Sequence, residues 1–72
     1  RARFDARTPL AGVDADVYAA CRESPRTIDA IMLLTGAAIG EAAMLLARLE
    51  GAGWLIETGG WFEAVDEWAE LA

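Results

Sequence analysis

Apolar residues recur at helical spacing in three segments of the chain, and Pro or Gly residues separate these segments. The pattern predicts helices over residues 14–23, 28–35 and 39–52. Asp14 is the predicted N-cap of the first helix, whose inner side carries Val17, Ala20 and Cys21. Pro25 then ends this helix, because a proline lacks the backbone N–H that a helix interior needs.

Polar and glycine residues mark both ends of the second predicted helix. Thr27 has the side chain of an N-cap, and Gly36 stands where a helix commonly ends in a left-handed conformation. Ile28, Ile31 and Leu34 recur at three-residue steps, so we expect all three to face the core.

The third predicted helix has one apolar side and one side of small residues, and Gly53 ends it. At 3.6 residues per turn, the inward positions are Ala42, Leu45, Leu46 and Leu49. The outward positions are Gly40, Met44, Ala47 and Gly51, with Glu41 and Arg48 on one flank. A helix that reads base edges in DNA usually presents Arg, Lys, Asn or Gln there. This composition argues against base recognition.

The last part of the chain alternates aromatic and β-branched residues, which predicts a hairpin over residues 54–65 with its turn at Gly59 and Gly60. A short helix over 66–71 follows, with Trp68 on its apolar side. Helix, turn, helix and hairpin in this order predict a mainly α, α+β fold, the winged helix-turn-helix. Residues 1–12 form a predicted linker or arm, and residues 13–72 the domain.

Charge and composition narrow the possible functions. The chain has 72 residues and a net charge of −6, with six basic residues, all of them Arg. Proteins that bind DNA strongly usually carry a basic surface, so the charge argues against a free-standing DNA binder. A single Cys forms no internal disulfide, and no apolar run is long enough to cross a membrane. The single Cys fits a reducing cytosol, so we expect a cytoplasmic domain. We also expect this domain to be cut from a longer protein, because the first residue is Arg rather than Met.

Few residues offer catalytic chemistry. The chain contains no His, the residue that most often serves as acid, base or metal ligand. Cys21 lies on an apolar helix side and is predicted to be a buried thiol. The acidic positions near the C-terminus lack the glycine-centred loop of a calcium site and are predicted to be solvated; they are Glu63, Asp66, Glu67 and Glu70. We expect neither an enzyme nor a bound cofactor or metal.

Several short motifs occur together in order along about forty residues of the chain. They are Pro25-x-Thr27-Ile28-Asp29, Thr35-Gly36, Leu46-x-x-Leu49-Glu50-x-x-Gly53 and Gly59-Gly60-x-Phe62. With these motifs the chain resembles the C-terminal winged-helix domain of the DprA/Smf family of DNA-processing proteins. It departs from the family at Ala37-Ala38, where the family has Leu-Ser, and its wing is shorter and lacks Arg.

The resemblance implies a Rossmann-like domain upstream in the intact protein. In the family, that domain binds incoming single-stranded DNA and helps to load the RecA recombinase during natural transformation. The present chain corresponds only to the accessory tail. The resemblance therefore implies single-stranded DNA and RecA as partners of the intact protein, and the upstream domain as a partner of the present chain.

Three functions remain open from the sequence. The first is protein contact or self-association through the outward face of the third helix and Trp68, either with the upstream domain or with a second copy. The second is auxiliary duplex-DNA binding, with candidate contacts at Arg26, Arg48, Gly59, Gly60 and Trp61, although packing is the favoured role of Trp61. The third is an unrelated winged-helix transcription regulator.

Overall fold

The computed structural model describes Arg7 and residues 9–65. Three helices and one antiparallel hairpin form an α+β fold in the order that the sequence predicts. The helices are α1 (Gly12–Glu23), α2 (Ile28–Thr35) and α3 (Ile39–Gly51), and the strands are β1 (Leu55–Thr58) and β2 (Trp61–Ala64). The predicted helix over residues 66–71, including Trp68, lies outside the described residues.

Helix α1 begins two residues before the predicted start, so the prediction that Asp14 is its N-cap is wrong. Ala11 occupies the N-cap position and gives no side-chain hydrogen bond. Asp14 lies instead in the first turn, where its negative charge suits the helix dipole. At the other end, Ser24 is extended ahead of Pro25, which directs the chain out of the helix.

Helix α2 has both predicted caps. The Thr27 hydroxyl oxygen accepts a hydrogen bond from the backbone N–H of Ala30 over 3.3 Å. Gly36 adopts a left-handed conformation with φ of 77°, and its N–H donates to the Met32 carbonyl oxygen over 2.8 Å. Local side-chain chemistry therefore fixes this helix at both ends.

Three residues connect α2 to α3, and the helix axes differ by 108°. This geometry is typical of a helix-turn-helix. Ala38 at the N-cap of α3 has no capping side chain, but the Glu41 carboxylate accepts its backbone N–H over 3.1 Å. At the far end, Gly53 has a φ of 88°, and its N–H donates to the Glu50 carbonyl oxygen. The N–H of Trp54 donates to the Leu49 carbonyl oxygen. These two bonds form a Schellman motif, which turns the chain directly into the hairpin.

The hairpin is tight and is joined to the connection between α1 and α2. Gly59 and Gly60 have φ values of 58° and 90°, the left-handed pair that a two-residue turn between twisted strands requires. Arg26 and Phe62 exchange both backbone hydrogen bonds, at 3.0 and 2.7 Å. This isolated bridge extends the two-stranded sheet beyond β2.

The core lies where α1, α2, α3 and β1 meet. All four inward positions predicted for α3 are buried, together with residues from the other elements: Val17, Cys21, Ile31, Ala42, Leu45, Leu46, Leu49 and Leu55. The prediction that Leu34 faces the core is wrong, since its side chain is 52% exposed. A three-residue step falls short of a full turn by about 60°, so two steps from Ile28 carry Leu34 out of the buried sector.

Two described residues of the predicted arm pack against the domain. Arg7 is only 9% exposed, and Leu10 packs against the core. Helix α1 already begins at Gly12. Among the described residues, no single helix has both the length and the apolar character needed to cross a bilayer.

Candidate protein-contact face on helix α3

The predicted outward positions of α3 are all exposed. We call this surface the α3 face; it comprises Gly40, Met44, Ala47 and Gly51. The Met44 side chain is 72% exposed at its centre, and a Cβ added at either glycine would meet no atom within 4 Å. The face is therefore a shallow surface of small residues around one flexible apolar side chain, which suits contact with another polypeptide.

Two charged residues flank this face. The Arg48 guanidinium donates through Nη2 to the Asp14 carboxylate over 2.7 Å and so ties α3 to α1. The Glu41 carboxylate caps the start of α3 through Oε1. Both side chains remain on the surface. With Glu50 on the opposite flank, the exposed sides of α3 carry one cation and two anions, which offer little for reading base edges.

The second candidate phosphate contact, Arg26, is also held within the fold. Its Nη2 lies 2.8 Å from the Glu23 carboxylate, and its Nε donates to the Ala20 carbonyl oxygen over 2.9 Å. These bonds hold the guanidinium against the end of α1. Arg26 and Arg48 therefore each have a carboxylate partner that a DNA phosphate would have to replace.

At the tip of the hairpin, an acidic side chain occupies the turn. The Gly60 backbone N–H donates to the Glu57 carboxylate over 2.7 Å. A backbone amide at a glycine turn is the group that otherwise approaches a phosphate. The carboxylate both uses this donor and adds negative charge at the turn, which disfavours a phosphate there.

Trp61 lies on the outer side of the hairpin, and the prediction that it packs is wrong. Its indole is 52% exposed and lines a groove of about 460 Å³ with Pro25, Thr58 and Glu63. Phe62 and Ala64 pack against the core, so alternation along β2 places Trp61 on the opposite, open side. The sequence alternation alone did not identify the covered side.

Arg7 forms a buried cluster that the sequence pattern did not reveal. Its guanidinium carbon lies 3.7 Å from the centroid of the Trp54 ring, and the Tyr18 ring meets the same indole edge-on at 5.2 Å. The Arg7 Nη1 atom donates to the carbonyl oxygens of Gly53 and Val65. These partners lie 46 and 58 residues away along the chain, so no local spacing identifies them.

Cys21 is a buried thiol, as predicted. Burial raises its pKa above the usual 9.0, and the positive charge of Arg26 opposes this only in part. A protonated, enclosed thiol is a poor nucleophile. In the described part of the chain, no three His, Cys, Asp or Glu residues come together as metal ligands.

Helix α2 carries two exposed leucines near its end, of which only Leu34 was predicted to face the core. Leu33 is 88% exposed and lines one groove with Met32, Gly36 and Ala37, whereas Leu34 lines another with Val13 of α1. Contiguous exposed apolar residues often mark contact surfaces. The end of α2 therefore adds exposed apolar side chains next to the turn between α2 and α3.

Comparisons with protein-family models, with curated proteins and with solved structures gave no match to this chain.

Proposed function

We propose that this chain is the C-terminal accessory winged-helix domain of a cytoplasmic DNA-processing protein resembling the DprA/Smf family. In this proposal the domain makes protein–protein contacts through the α3 face. The intact protein handles incoming single-stranded DNA and loads RecA, and the domain contacts its upstream Rossmann-like domain or a second copy.

The arrangement of elements supports a winged helix. A three-residue turn joins α2 to α3 with axes 108° apart, and the hairpin follows directly. The bridge between Arg26 and Phe62 attaches the chain between α1 and α2 to the hairpin, which gives the small sheet a third contributor. Short helix pairs of this kind serve both DNA binding and protein contact, so the function rests on the surface and not on the fold.

The observation that carries the proposal is the composition of the α3 face. Its side chains are small or apolar, and Met44 at the centre is 72% exposed. The flanking Arg48 is paired with Asp14, and the whole chain has a net charge of −6. The net negative charge disfavours the approach of a polyanion, and the small side chains let another helix backbone come close.

A DNA titration tests this function directly. Fluorescence anisotropy of labelled single- and double-stranded DNA is followed as the domain is added at low salt, where phosphate contacts are least screened. We expect no saturable binding. Saturable binding that weakens steeply with salt, and whose salt slope flattens in Arg48→Ala, contradicts the proposal.

A matched pair of variants tests the protein contact. Met44→Glu places a charge at the centre of the α3 face, whereas Ile56→Glu places one on the exposed side of the hairpin. Association measured by sedimentation, with itself or with the separately produced upstream domain, is expected to fall only in Met44→Glu. Equal association of both variants and the parent excludes the α3 face as the contact surface.

One observation favours auxiliary DNA binding as a second candidate. Trp61 presents half of its indole beside Pro25, and exposed aromatic rings stack on unpaired bases. If this surface binds single-stranded DNA, Trp61→Ala abolishes the anisotropy change and Ile56→Ala, an equally exposed neighbour on the same strand pair, preserves it.

A further inference from the structure

The α3 face is symmetric about a point between Leu45 and Leu46. Gly40 and Gly51 lie equally far from this point along the helix, and so do Met44 and Ala47. A two-fold contact between identical chains requires a self-complementary surface of this kind. We propose that the partner of the α3 face is a second copy of this chain, with the two α3 helices antiparallel. This inference rests on the proposed protein-contact function.

The helical angles make the match specific. At 100° per residue, the four residues of the α3 face fall within an arc of about 60°, so they form one narrow seam. In the antiparallel arrangement, Gly40 of each copy meets Gly51 of the other, and Met44 lies against Ala47 of the other. The glycines let the helix backbones approach closely at both ends. Each methionine enters the space that an alanine leaves open.

The charged flank is complementary to itself. Glu41 and Arg48 lie on the same side of the seam, about 70° to 90° from its centre. A two-fold axis between antiparallel helices brings these sides together, with Arg48 of one copy about 3 Å along the axis from Glu41 of the other. The arrangement therefore creates the ion pair twice, once at each end of the contact.

The existing bonds of these two residues leave atoms for the new pairs. Arg48 uses Nη2 toward Asp14, and its side chain is still 57% exposed with further N–H donors. Glu41 accepts the Ala38 amide through Oε1, which leaves Oε2 for a second donor. Neither residue has to break its contact within the chain.

The opposite flank contains no repulsion. Glu50 lies there, and the antiparallel arrangement places it beside Ala43 of the other copy rather than beside another carboxylate. The two helix dipoles also oppose each other, which is favourable. A parallel two-fold pair would instead align the dipoles and bring Met44 beside Met44 of the other copy, so the methionines would meet each other rather than an alanine. The side chains of the seam and the helix dipoles therefore both select the antiparallel pair.

The contact is small, so the dimer is weak and depends on concentration. One pair of 13-residue helices covers much less than the roughly 800 Å² per partner of a stable interface. Weak pairing suits a domain carried by a larger protein, because a second contact elsewhere would raise the effective concentration.

A charge-exchange experiment tests this geometry. Glu41→Arg leaves two arginines on the flank, and Arg48→Glu leaves two glutamates, so each variant alone faces repulsion at both ends. Sedimentation equilibrium between about 10 µM and 1 mM covers weak association. We expect each single variant to weaken self-association about tenfold or more. An equimolar mixture restores it through heterodimers with two opposite-charge pairs. Circular dichroism confirms that each variant is folded.

The outcomes separate this inference from the function on which it rests. Restored association in the mixture supports the antiparallel dimer. Self-association that is insensitive to the charge exchange and to Met44→Glu overturns the inference, although protein contact through another surface stands. A chain that stays monomeric throughout also overturns the inference. If that monomer in addition binds DNA with a steep salt dependence, the proposed function itself fails.

Discussion

The guanidinium of Arg7 stacks on the indole of Trp54, with 3.7 Å between the guanidinium carbon and the ring centroid. The same guanidinium donates to Gly53 over 2.8 Å and to Val65 over 2.6 Å. A residue before α1 therefore fastens both the start and the end of the hairpin. Because this guanidinium is charged and largely shielded from water, its hydrogen bonds stabilise the fold more than similar bonds at the surface would.

Arg7→Met is expected to lower the free energy of unfolding by about 2–4 kcal/mol, because it removes two charge-assisted hydrogen bonds and a cation–π contact. Glu63→Met, at an exposed position of β2, is the control for loss of a charged side chain and should change it by less than about 0.5 kcal/mol. Urea unfolding monitored by tryptophan fluorescence measures both. Similar losses in the two variants would contradict the role assigned to Arg7.

Ile31 and Leu34 on α2 should differ sharply in how much stability is lost when each is replaced by alanine. Ile31→Ala is expected to cost about 2–5 kcal/mol because it leaves a cavity at a fully buried position. Leu34→Ala should cost less than about 1 kcal/mol, since half of the side chain is already in water. Thermal unfolding of both variants compares them. An equal cost would place Leu34 in the core, as the three-residue spacing alone predicts.

Glycine substitutions should have opposite effects on α3 and at the turn. Gly40→Ala is expected to stabilise the monomer by about 0.5 kcal/mol, because the position is helical and open. Gly60→Ala should destabilise it by about 1 kcal/mol, since φ there is 90°. Denaturant midpoints measure both changes.

A larger side chain at Gly40 separates stability from association. Gly40→Leu raises helix propensity, and a Cβ at this position meets no atom within 4 Å, so folding should be unimpaired. The same side chain keeps the two α3 helices of the proposed dimer apart, and self-association should fall. Sedimentation and thermal melts on one sample measure both quantities. A variant that is stable and associates normally would contradict the α3 seam.

The buried thiol predicts a pH effect. Because burial raises the Cys21 pKa in the folded state, the unfolded chain loses this proton first as pH rises. The stability that the thiol contributes is complete below its unfolded pKa and declines as pH rises above about 9. Cys21→Ala should remove this part of the decline. The difference in free energy of unfolding between the two proteins, measured from pH 7 to 10, isolates the thiol, and a constant difference would contradict its titration.

The sequence predicted what local chemistry determines. Thirteen residues of α3 follow one period, so the positions of its buried and exposed sides came from counting alone. Thr27 and Gly36 act within a few residues of themselves, and both caps were predicted correctly. The same holds for the turn at Gly59 and Gly60, whose conformation only glycine adopts readily.

Other features depend on which distant segments meet. Trp61 is exposed because the helices cover the side of β2 that carries Phe62 and Ala64, and alternation within β2 does not encode which side they cover. The partners of Arg7 are farther still. Asp14 was assigned as a cap because its side chain suits one, but the helix continues past it to Gly12. The surface chemistry of α3 was predictable, whereas the carboxylates that hold Arg26 and Arg48 were only partly so.

The bridge between Arg26 and Phe62 has a consequence for motion. A two-stranded hairpin alone is only marginally stable in water and would swing on its connections. Here two backbone hydrogen bonds couple it to the segment that begins at Pro25, whose ring restricts rotation. The hairpin and the connection between α1 and α2 are therefore fastened to each other. A displacement of the hairpin that keeps these two bonds would carry the start of α2 with it.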